Sequence, residues 1–519
     1  MAEIAPSKNR DEPSDRGGKV YLVGAGPGDP GLLTLRGAEC LARAEVVFYD
    51  YLVNPLLLRH AGEHVDKVCL GRHGAGRMMS QDEINRRLVK AARQGKTVVR
   101  LKSGDPMVFA RAAEEIAAIC AANIPLEIVP GITAALAVGS YAGVALTHRD
   151  VASAVALVTG QQRSGKPDLE LDYAALARFP GTLVFYMGVT TARCWTSALL
   201  EHGKSPDTPA AIVRRCSFPD QRLVSCTLGR VAEEIEAQHL RPPVVVVVGE
   251  AVSTGPTISW FTERPLFGRR VLITRPAGQA EPLRRRLEAL GAEVLEQPTI
   301  RITEPPSWAP VDAALARMSH YDWLVFSSRN GVRYLLERLL ETADLRSLAG
   351  VRIAAIGSST AKALAEYRLK ADLVPETFDA EALARSLAPG ARGKRFLLAR
   401  ASRGREVLAE QLTVAGGNVE QIVVYSSTDV PQAEAGETAE LESGRVDFLT
   451  VTSSAIARSA AAMFGDALLK TRLVSISPVT SATLRELGFE PSAEAAASTM
   501  EGLTEAMLRC VAADEGSVA

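Results

Sequence analysis

One turn constrains the first half of this chain more than any other stretch. Val20-Tyr21-Leu22-Val23 is an apolar run readable as a strand, and it breaks into Gly24-Ala25-Gly26-Pro27-Gly28-Asp29-Pro30-Gly31. A helical pattern then begins near Leu32. A strand that ends in glycines and restarts as a helix brings bare backbone close to a ligand. A dinucleotide fold is the first reading, because the next apolar run, Val46 to Tyr49, closes on the acidic Asp50. The fingerprint fails at its third glycine, which falls on Asp29, and Pro27 stiffens a turn that the fingerprint leaves free. A nicotinamide-dependent oxidoreductase therefore remains only as an alternative.

Short β-branched runs trade places with longer Ala/Leu/Arg/Glu segments of helical period over most of the 519 residues, the pattern of α/β layers. That length exceeds one core and implies several compact units. Composition breaks between Ser253 and Gly268, where a linker over 256–267 is expected, and a new strand opens at Arg270-Val271-Leu272-Ile273. The region beyond repeats internally. Tyr321-Asp322-Trp323-Leu324 returns as Val446-Asp447-Phe448-Leu449, and Ile356-Gly357-Ser358-Ser359-Thr360 returns as Ile476-Ser477-Pro478-Val479-Thr480. Two similar lobes facing each other across a cleft follow from the repeat. In each copy a strand ends in small hydroxyl residues before a helix, a place where free N–H groups and hydroxyls bind carboxylates.

Composition excludes several classes of function. A net charge of −1 provides no global field for nucleic acid or a membrane surface. Seven cysteines without a Cys-x-x-Cys pair fit a reducing compartment and argue against a thiolate metal site. His60 and His64 have helical i, i+4 spacing but no third ligand, so they read as surface residues and no metal is expected. Residues 1–17 are polar and lack the apolar core of a signal peptide, so a disordered tail and a cytoplasmic location are expected. Val244 to Val248 is too short to span a bilayer and reads as a buried strand.

Four further motifs follow the first loop: Val99-Arg100-Leu101-Lys102-Ser103-Gly104-Asp105-Pro106, Val129-Pro130-Gly131-Ile132-Thr133-Ala134-Ala135, Leu146-Thr147-His148-Arg149-Asp150 and Phe185-Tyr186-Met187-Gly188. Together, over about 18–255, they resemble the tetrapyrrole methylases, most closely uroporphyrinogen-III C-methyltransferase. The resemblance implies a two-lobed methylase domain that binds S-adenosyl-L-methionine as methyl donor and forms a homodimer through this domain. It places cofactor contacts on Pro27, Ser103, Gly104, Asp105, Val108, Thr133, Ala134, Met187 and Cys216, and substrate contacts on His148 and Arg149. Arg72, His73, Arg77, Arg214 and Arg215 are further cations for an eight-carboxylate substrate. Asp50 matches the proposed proton acceptor, a role that needs burial or a nearby anion to raise its pKa from about 3.9; capping a turn or bonding substrate nitrogens is the alternative. Arg72 stands where relatives carry a lysine assigned as proton donor. Arginine keeps its proton, so holding a substrate carboxylate suits it better. Ser103 and the alanines at 110, 112 and 113 replace glycines of the family pattern and leave the fit of that wall open.

The second half, over about 268–510, resembles uroporphyrinogen-III synthase through Leu272-Ile273-Thr274-Arg275-Pro276-Ala277-Gly278-Gln279-Ala280, Leu290-Gly291-Ala292-Glu293-Val294 and Ile422-Val423-Val424-Tyr425. The fold class implied for the whole chain is α/β, with a two-lobed methylase domain followed by a two-lobed synthase domain over 268–519. Lobe one would be about 268–303 plus 430–519 and lobe two about 308–425, linked near Thr299–Thr303 and Val423–Ser427. The chemistry implied is closure of linear hydroxymethylbilane with inversion of ring D, followed by two methylations, at C2 and C7, to precorrin-2. Tyr425 is the candidate acid for the leaving hydroxyl, and Ser327, Ser358, Ser453, Ser477 and Thr480 are the substrate-facing hydroxyl sites. A non-catalytic tetrapyrrole-binding module in this half is the alternative. Whether the product feeds sirohaem or cobalamin is open.

Overall fold

Among the described residues, four five-stranded sheets carry the chain, two in each of two compact units, Met1–Gly268 and Arg269–Ala519. A computed structural model describes residues 18–62, 64–71, 79–161, 171–254, 260–377, 379–404, 406–433 and 435–518. The 1–17 tail thus lies outside the described residues.

In the first unit, strands β1 (Lys19–Gly24), β2 (Val46–Tyr49), β3 (Asp66–Cys69), β4 (Thr97–Lys102) and β5 (Leu126–Val129) form a wholly parallel sheet in the order β3-β2-β4-β1-β5. Both faces are covered, so Val20, Leu22 and Val23 are all fully buried in β1. Its helices carry clear start signals. Ser80 caps Gln81–Arg93 by accepting the Glu83 N–H at 3.3 Å, and Ile84, Leu88, Ala91 and Ala92 turn inward at helical spacing. A second sheet follows from β6 (Val155–Thr159), β7 (Thr182–Tyr186), β8 (Pro209–Arg214), β9 (Arg222–Thr227) and β10 (Val244–Val248). It runs β6-β7-β10-β8-β9, parallel only between β6 and β7. The valine run is its buried central strand, as its sequence predicts.

The expected linker is not free chain. Its described part, 260–267, is folded onto the first unit. Phe261 is 3 % exposed and Leu266 is fully buried. Tyr141 packs against the rings of Trp260 and Phe261 at 5.1 and 4.8 Å, and Arg264 covers both rings. Proline and glycine suggested a spacer, but the interspersed aromatic and leucine side chains decide the outcome by burying themselves.

The second unit holds β11 (Arg270–Ile273), β12 (Glu293–Glu296), β13 (Ile300–Thr303), β14 (Trp323–Phe326), β15 (Arg352–Ala355), β16 (Arg395–Ala401), β17 (Asn418–Asp429), β18 (Phe448–Val451), β19 (Arg472–Ser475) and β20 (Ala493–Glu494). One sheet is parallel throughout, β12-β11-β18-β19-β20; the other is β13-β17-β16-β14-β15, with only β13 antiparallel. The internal repeat is real down to single hydrogen bonds. Asp322 accepts the Arg395 N–H on its carboxylate at 2.8 Å and the Arg352 N–H on its carbonyl at 3.0 Å. Asp447 does the same with the N–H groups of Arg270, 2.8 Å, and Arg472, 3.1 Å. The lobe boundary needs one correction. Ile300–Thr303, expected at the end of lobe one and in the link between lobes, pairs with β17 of the second sheet while Ile300 packs into the core of lobe one.

Candidate active sites

The carboxyl ends of β1, β4 and β5 meet where a switch point of a parallel sheet places a ligand. They meet as bare backbone. A Cβ on Gly131 would lie 2.2 Å from the Gly104 carbonyl oxygen, and one on Gly24 would lie 2.5 Å from Gly131. Gly26 and Gly104 exchange two hydrogen bonds, of 3.2 and 2.8 Å, which lock the loop carrying Pro27 to the loop after β4. Asp105, expected to face a cofactor, spends its carboxylate on protein: Oδ1 accepts the Met107 N–H at 2.7 Å and Oδ2 the Gly131 N–H at 3.0 Å. It fixes this wall, and Val108 closes the same turn onto the Asp105 carbonyl. Asp29, the residue that spoils the dinucleotide fingerprint, ties the first loop to the rest of the unit. It accepts from Gly31 N–H and Tyr141 Oη, and its own N–H donates to Ser217 Oγ.

Thr133 and Ala134 open the helix Ala134–Tyr141 directly beside these glycines. The Thr133 hydroxyl bonds to Tyr186 Oη at 2.6 Å, and Tyr186 also accepts the Ala135 N–H at 2.8 Å. Burial pushes the Tyr186 phenol above its ordinary pKa, so it remains a neutral hydrogen-bonding group. Tyr186 places the next residue, Met187, which is 47 % exposed and has φ 53°. Among the described non-glycine residues with positive φ, Asn123, His239 and Arg368 follow helix ends, where that conformation is ordinary. Phe109, Arg111, Met187, Arg215 and Ser217 have no such excuse and lie in the loops after β4, β7 and β8. Backbone held in this way collects at functional sites. Ala110, Ala112 and Ala113 stand outside the positive-φ set, so these alanines add no left-handed strain beside Phe109 and Arg111.

Asp50 ends β2 and is 30 % exposed on its side chain. Arg100 donates Nη2 to its Oδ1 at 2.5 Å. Arg100, Lys102 and Glu115 are each at most 2 % exposed and form one buried cluster: Glu115 Oε1 accepts from Arg100 at 3.2 Å and from Lys102 at 2.9 Å. Burial and the Arg100 charge lower the Lys102 pKa. Neither deep burial nor a contacting anion supports Asp50 as a base; its immediate partner is a cation, and the contact orients it. The cluster went unread in the sequence, although Arg100 and Lys102, two apart on an otherwise apolar strand, signal a charge that must be paired inside.

The remaining sites of the first unit divide, and Cys216 stays in one apolar cluster with Ala134, Ala135 and Tyr186. Cys216 is 6 % exposed in the apolar core beside the helix Ala134–Tyr141, and burial pushes its thiol up to about 12. His148 closes a turn, its Nδ1 accepting the Asp150 N–H at 3.3 Å, and the Arg149 side chain is 90 % exposed. Arg214 and Arg215 both rest on Asp220. Arg72, His73 and Arg77 lie outside the described residues.

In the second unit the repeat yields four turns of one geometry. Ser328, Gly357, Ser453 and Ser477 are the N-caps of helices Arg329–Thr342, Ser358–Glu366, Ser454–Phe464 and Pro478–Glu486, all in extended backbone. The hydroxyls of Ser453 and Ser477 are spent as caps, accepting the N–H groups of Ile456 and Thr480. Thr480 is 2 % exposed and bonded to Ser477, whereas Ser358 is half-buried at its helix start. Ser327 is exposed, and Ser328, which the sequence reading passed over, caps the helix and lies 3.0 Å from Tyr425 Oη. Tyr425 is 7 % exposed and stacks on Tyr334 at 5.8 Å. Burial raises its pKa, so the phenol carries its proton at neutral pH.

Comparison with known proteins agrees with this division. Residues 19–232 match the family of tetrapyrrole (corrin/porphyrin) methylases and residues 281–505 match uroporphyrinogen-III synthase HemD. The chain is 34 % identical over 439 residues to the porphyrin biosynthesis protein HemD of Ruminiclostridium josui, covering 84 % of this chain and 87 % of that one. It is 38 % identical over 354 residues to the uroporphyrinogen-III C-methyltransferase of Bacillus subtilis, covering 68 % and 72 %. A solved uroporphyrin III C-methyl transferase from Thermus thermophilus is 41 % identical and superposes with a TM-score of 0.40, covering 46 % of this chain and all of that one. Among the described residues no helix is long and apolar enough to cross a membrane.

Proposed function

Because the chain belongs to the porphyrin-biosynthesis family that fuses a tetrapyrrole methylase to a uroporphyrinogen-III synthase, we propose that it closes hydroxymethylbilane to uroporphyrinogen III and methylates that product twice. The methyl donor is S-adenosyl-L-methionine and the final product precorrin-2. The observation that supports the first activity is the close backbone packing of Gly24, Gly104 and Gly131, where a Cβ on Gly24 or Gly131 would collide with neighbouring backbone. That packing gathers bare backbone of three loops at the strand ends, the kind of wall a nucleoside-bearing ligand approaches. Pro27, the Ser103–Asp105 loop, Val108, Thr133 with Ala134, and Met187 would hold it. When bound, the donor supplies an electrophilic methyl group on a sulfonium. The protein supplies alignment, worth up to about 7–11 kcal/mol, by way of loops fixed through Asp29, Asp105 and Tyr186. Asp50, oriented by Arg100, would bond the pyrrole nitrogens of the substrate and so help align the ring carbon that is alkylated.

In the second unit Tyr425 is the protonated group beside the cap of Ser328, suited to donate to the leaving hydroxyl of the bilane. The remaining task is to fold the substrate, which the four helix starts would serve with the first-turn N–H groups that no cap takes up. The domain boundary in this reading is Gly268/Arg269, and the methylase unit is the dimerising part. Incubating the pure protein with hydroxymethylbilane and S-adenosyl-L-methionine should yield precorrin-2. Methylation of supplied uroporphyrinogen III without any ring closure would hand the second unit to the binding-module reading, and sedimentation of the full chain checks the dimer.

A further inference from the structure

Arg275 lies two residues beyond β11 in one lobe of the second unit and is half-buried. Its Nε donates to the Gln279 carbonyl at 3.0 Å and its Nη1 faces Met500 Sδ at 3.6 Å. No carboxylate pairs with it among the described residues. Gln279 Nε2 donates across to Asn330 Oδ1, 3.0 Å away, in the other lobe. Asn330 also lies near the Tyr425 phenol, and its neighbour Arg329 is the first residue of the 14-residue helix Arg329–Thr342. Arg329 is exposed and likewise has no carboxylate partner among the described residues. The Arg275 guanidinium in one lobe is thus tied through Gln279 to Asn330 of the other, and the charge of Arg329, next to Asn330, is near enough to act on it.

Burial and the charge of Arg329 depress the Arg275 pKa to about 10, the mark of a cation without a counter-charge. Elsewhere in this unit arginines of similar burial end on acids: Arg270 on Glu293 and Glu440, and Arg338 on Asp312 and Glu341. A planar guanidinium recognises a carboxylate through two parallel hydrogen bonds. A helix N-terminus at the same spot adds to the attraction.

We propose that Arg275 and Arg329 form a carboxylate clamp across the two lobes, taking one acidic side chain of a polycarboxylate tetrapyrrole beside Tyr425. The clamp rests on the synthase reading for the identity of its ligand. It registers the substrate chain against the phenol, and it exchanges a repulsion between lobes for a shared anion when the cleft is filled.

The test uses the full chain with Arg275→Gln, Arg329→Gln, the double variant and Arg275→Lys. Ring closure should lose about tenfold or more in kcat/KM for each glutamine variant, mostly through KM, because a charged hydrogen bond is removed. The double variant should be little worse than the poorer single one, since both arms hold one group. Arg275→Lys should recover part of the loss, and methylation of supplied uroporphyrinogen III should stay unchanged as the control for folding. Wild-type kcat/KM in both single variants overturns the clamp. A second measurement covers a wild-type chain that closes no ring, a result that defeats the synthase reading alone. Phenylglyoxal labelling mapped by mass spectrometry should show Arg275 and Arg329 shielded by uroporphyrin I and not by inorganic phosphate at equal concentration. Unshielded arginines, or shielding by phosphate alike, reject a tetrapyrrole clamp.

Discussion

The two units are built at their proposed sites by opposite means. The first offers backbone: glycines so close that no side chain fits, flanked by residues held at positive φ. The second offers a turn used four times, with extended N-caps, and its distinctive chemistry comes from side chains added to that frame. A site made of close backbone is brittle to added atoms, whereas one made of capped turns is tolerant, because each contact is replaceable and the sheets beneath hold it up. Substitution should expose this contrast.

The largest effect is expected at Gly131→Ala. Its Cβ would collide with Gly104 and Gly24 backbone, which cannot yield as a side chain end can, and the strain is of order 3 kcal/mol. Calorimetry should find binding of the demethylated donor weakened about a hundredfold, with ring closure intact. Binding within twofold of wild type would break the comparison at its root. Gly278→Ala, at φ +75° but with nothing within 4 Å, should cost the second unit only about 1 kcal/mol in a thermal melt.

Asp50→Asn should reduce methyl transfer about a hundredfold while leaving donor affinity unchanged, since Asp50 lies on the Arg100 cluster and not on the glycine wall. Weakened donor binding with unaltered turnover of bound donor would instead assign Asp50 to that wall. Tyr425→Phe should slow ring closure by about tenfold, within the range of one lost hydrogen bond to a leaving group. A loss of several thousandfold would show the second site to be as brittle as the first.

The smallest effects test the repeat itself. Asp322→Asn and Asp447→Asn each weaken an equivalent anchor between strands and should cost about 1 kcal/mol apiece in urea unfolding. For Asp322 the Arg395 N–H and Lys394 hold the carboxyl below its usual pKa. Its contribution is complete above the unfolded value of about 3.9 and is lost as pH falls through the lower folded one. Unfolding curves of wild type and Asp322→Asn should therefore differ at pH 7 and converge in strong acid; a constant gap would remove the carboxylate from the account.

Much of this was legible because it is local. The strand–glycine–helix turn at 20–31, the valine strand and the offset repeat all declare themselves within a few residues or one fixed spacing. What escaped is what partners decide. The sequence offers Asp105 as a contact but not the task of its carboxylate, which accepts the Gly131 N–H. Ser327 and Ser328 are indistinguishable until helix geometry makes the second the cap. Ile300–Thr303 is merely extended until β17 claims it. Arg100 and Glu115 are fifteen positions apart, and only the pairing of strand and helix joins them.

Residues 260–267 have a consequence for how the protein is made. Trp260 donates to the Ser140 carbonyl, and its ring and that of Phe261 lean on Tyr141, whose hydroxyl holds Asp29 in the first glycine loop. On the ribosome, where N-terminal domains fold first, the last strand β10 ends at Val248, yet the clasp for the first loop has not then been synthesised. The methylase pocket can set only once the final turn before Arg269 has emerged, so a nascent chain stalled near 250 should be folded but slack at its ligand loops. Truncating at the end of the last strand would reproduce that premature state permanently.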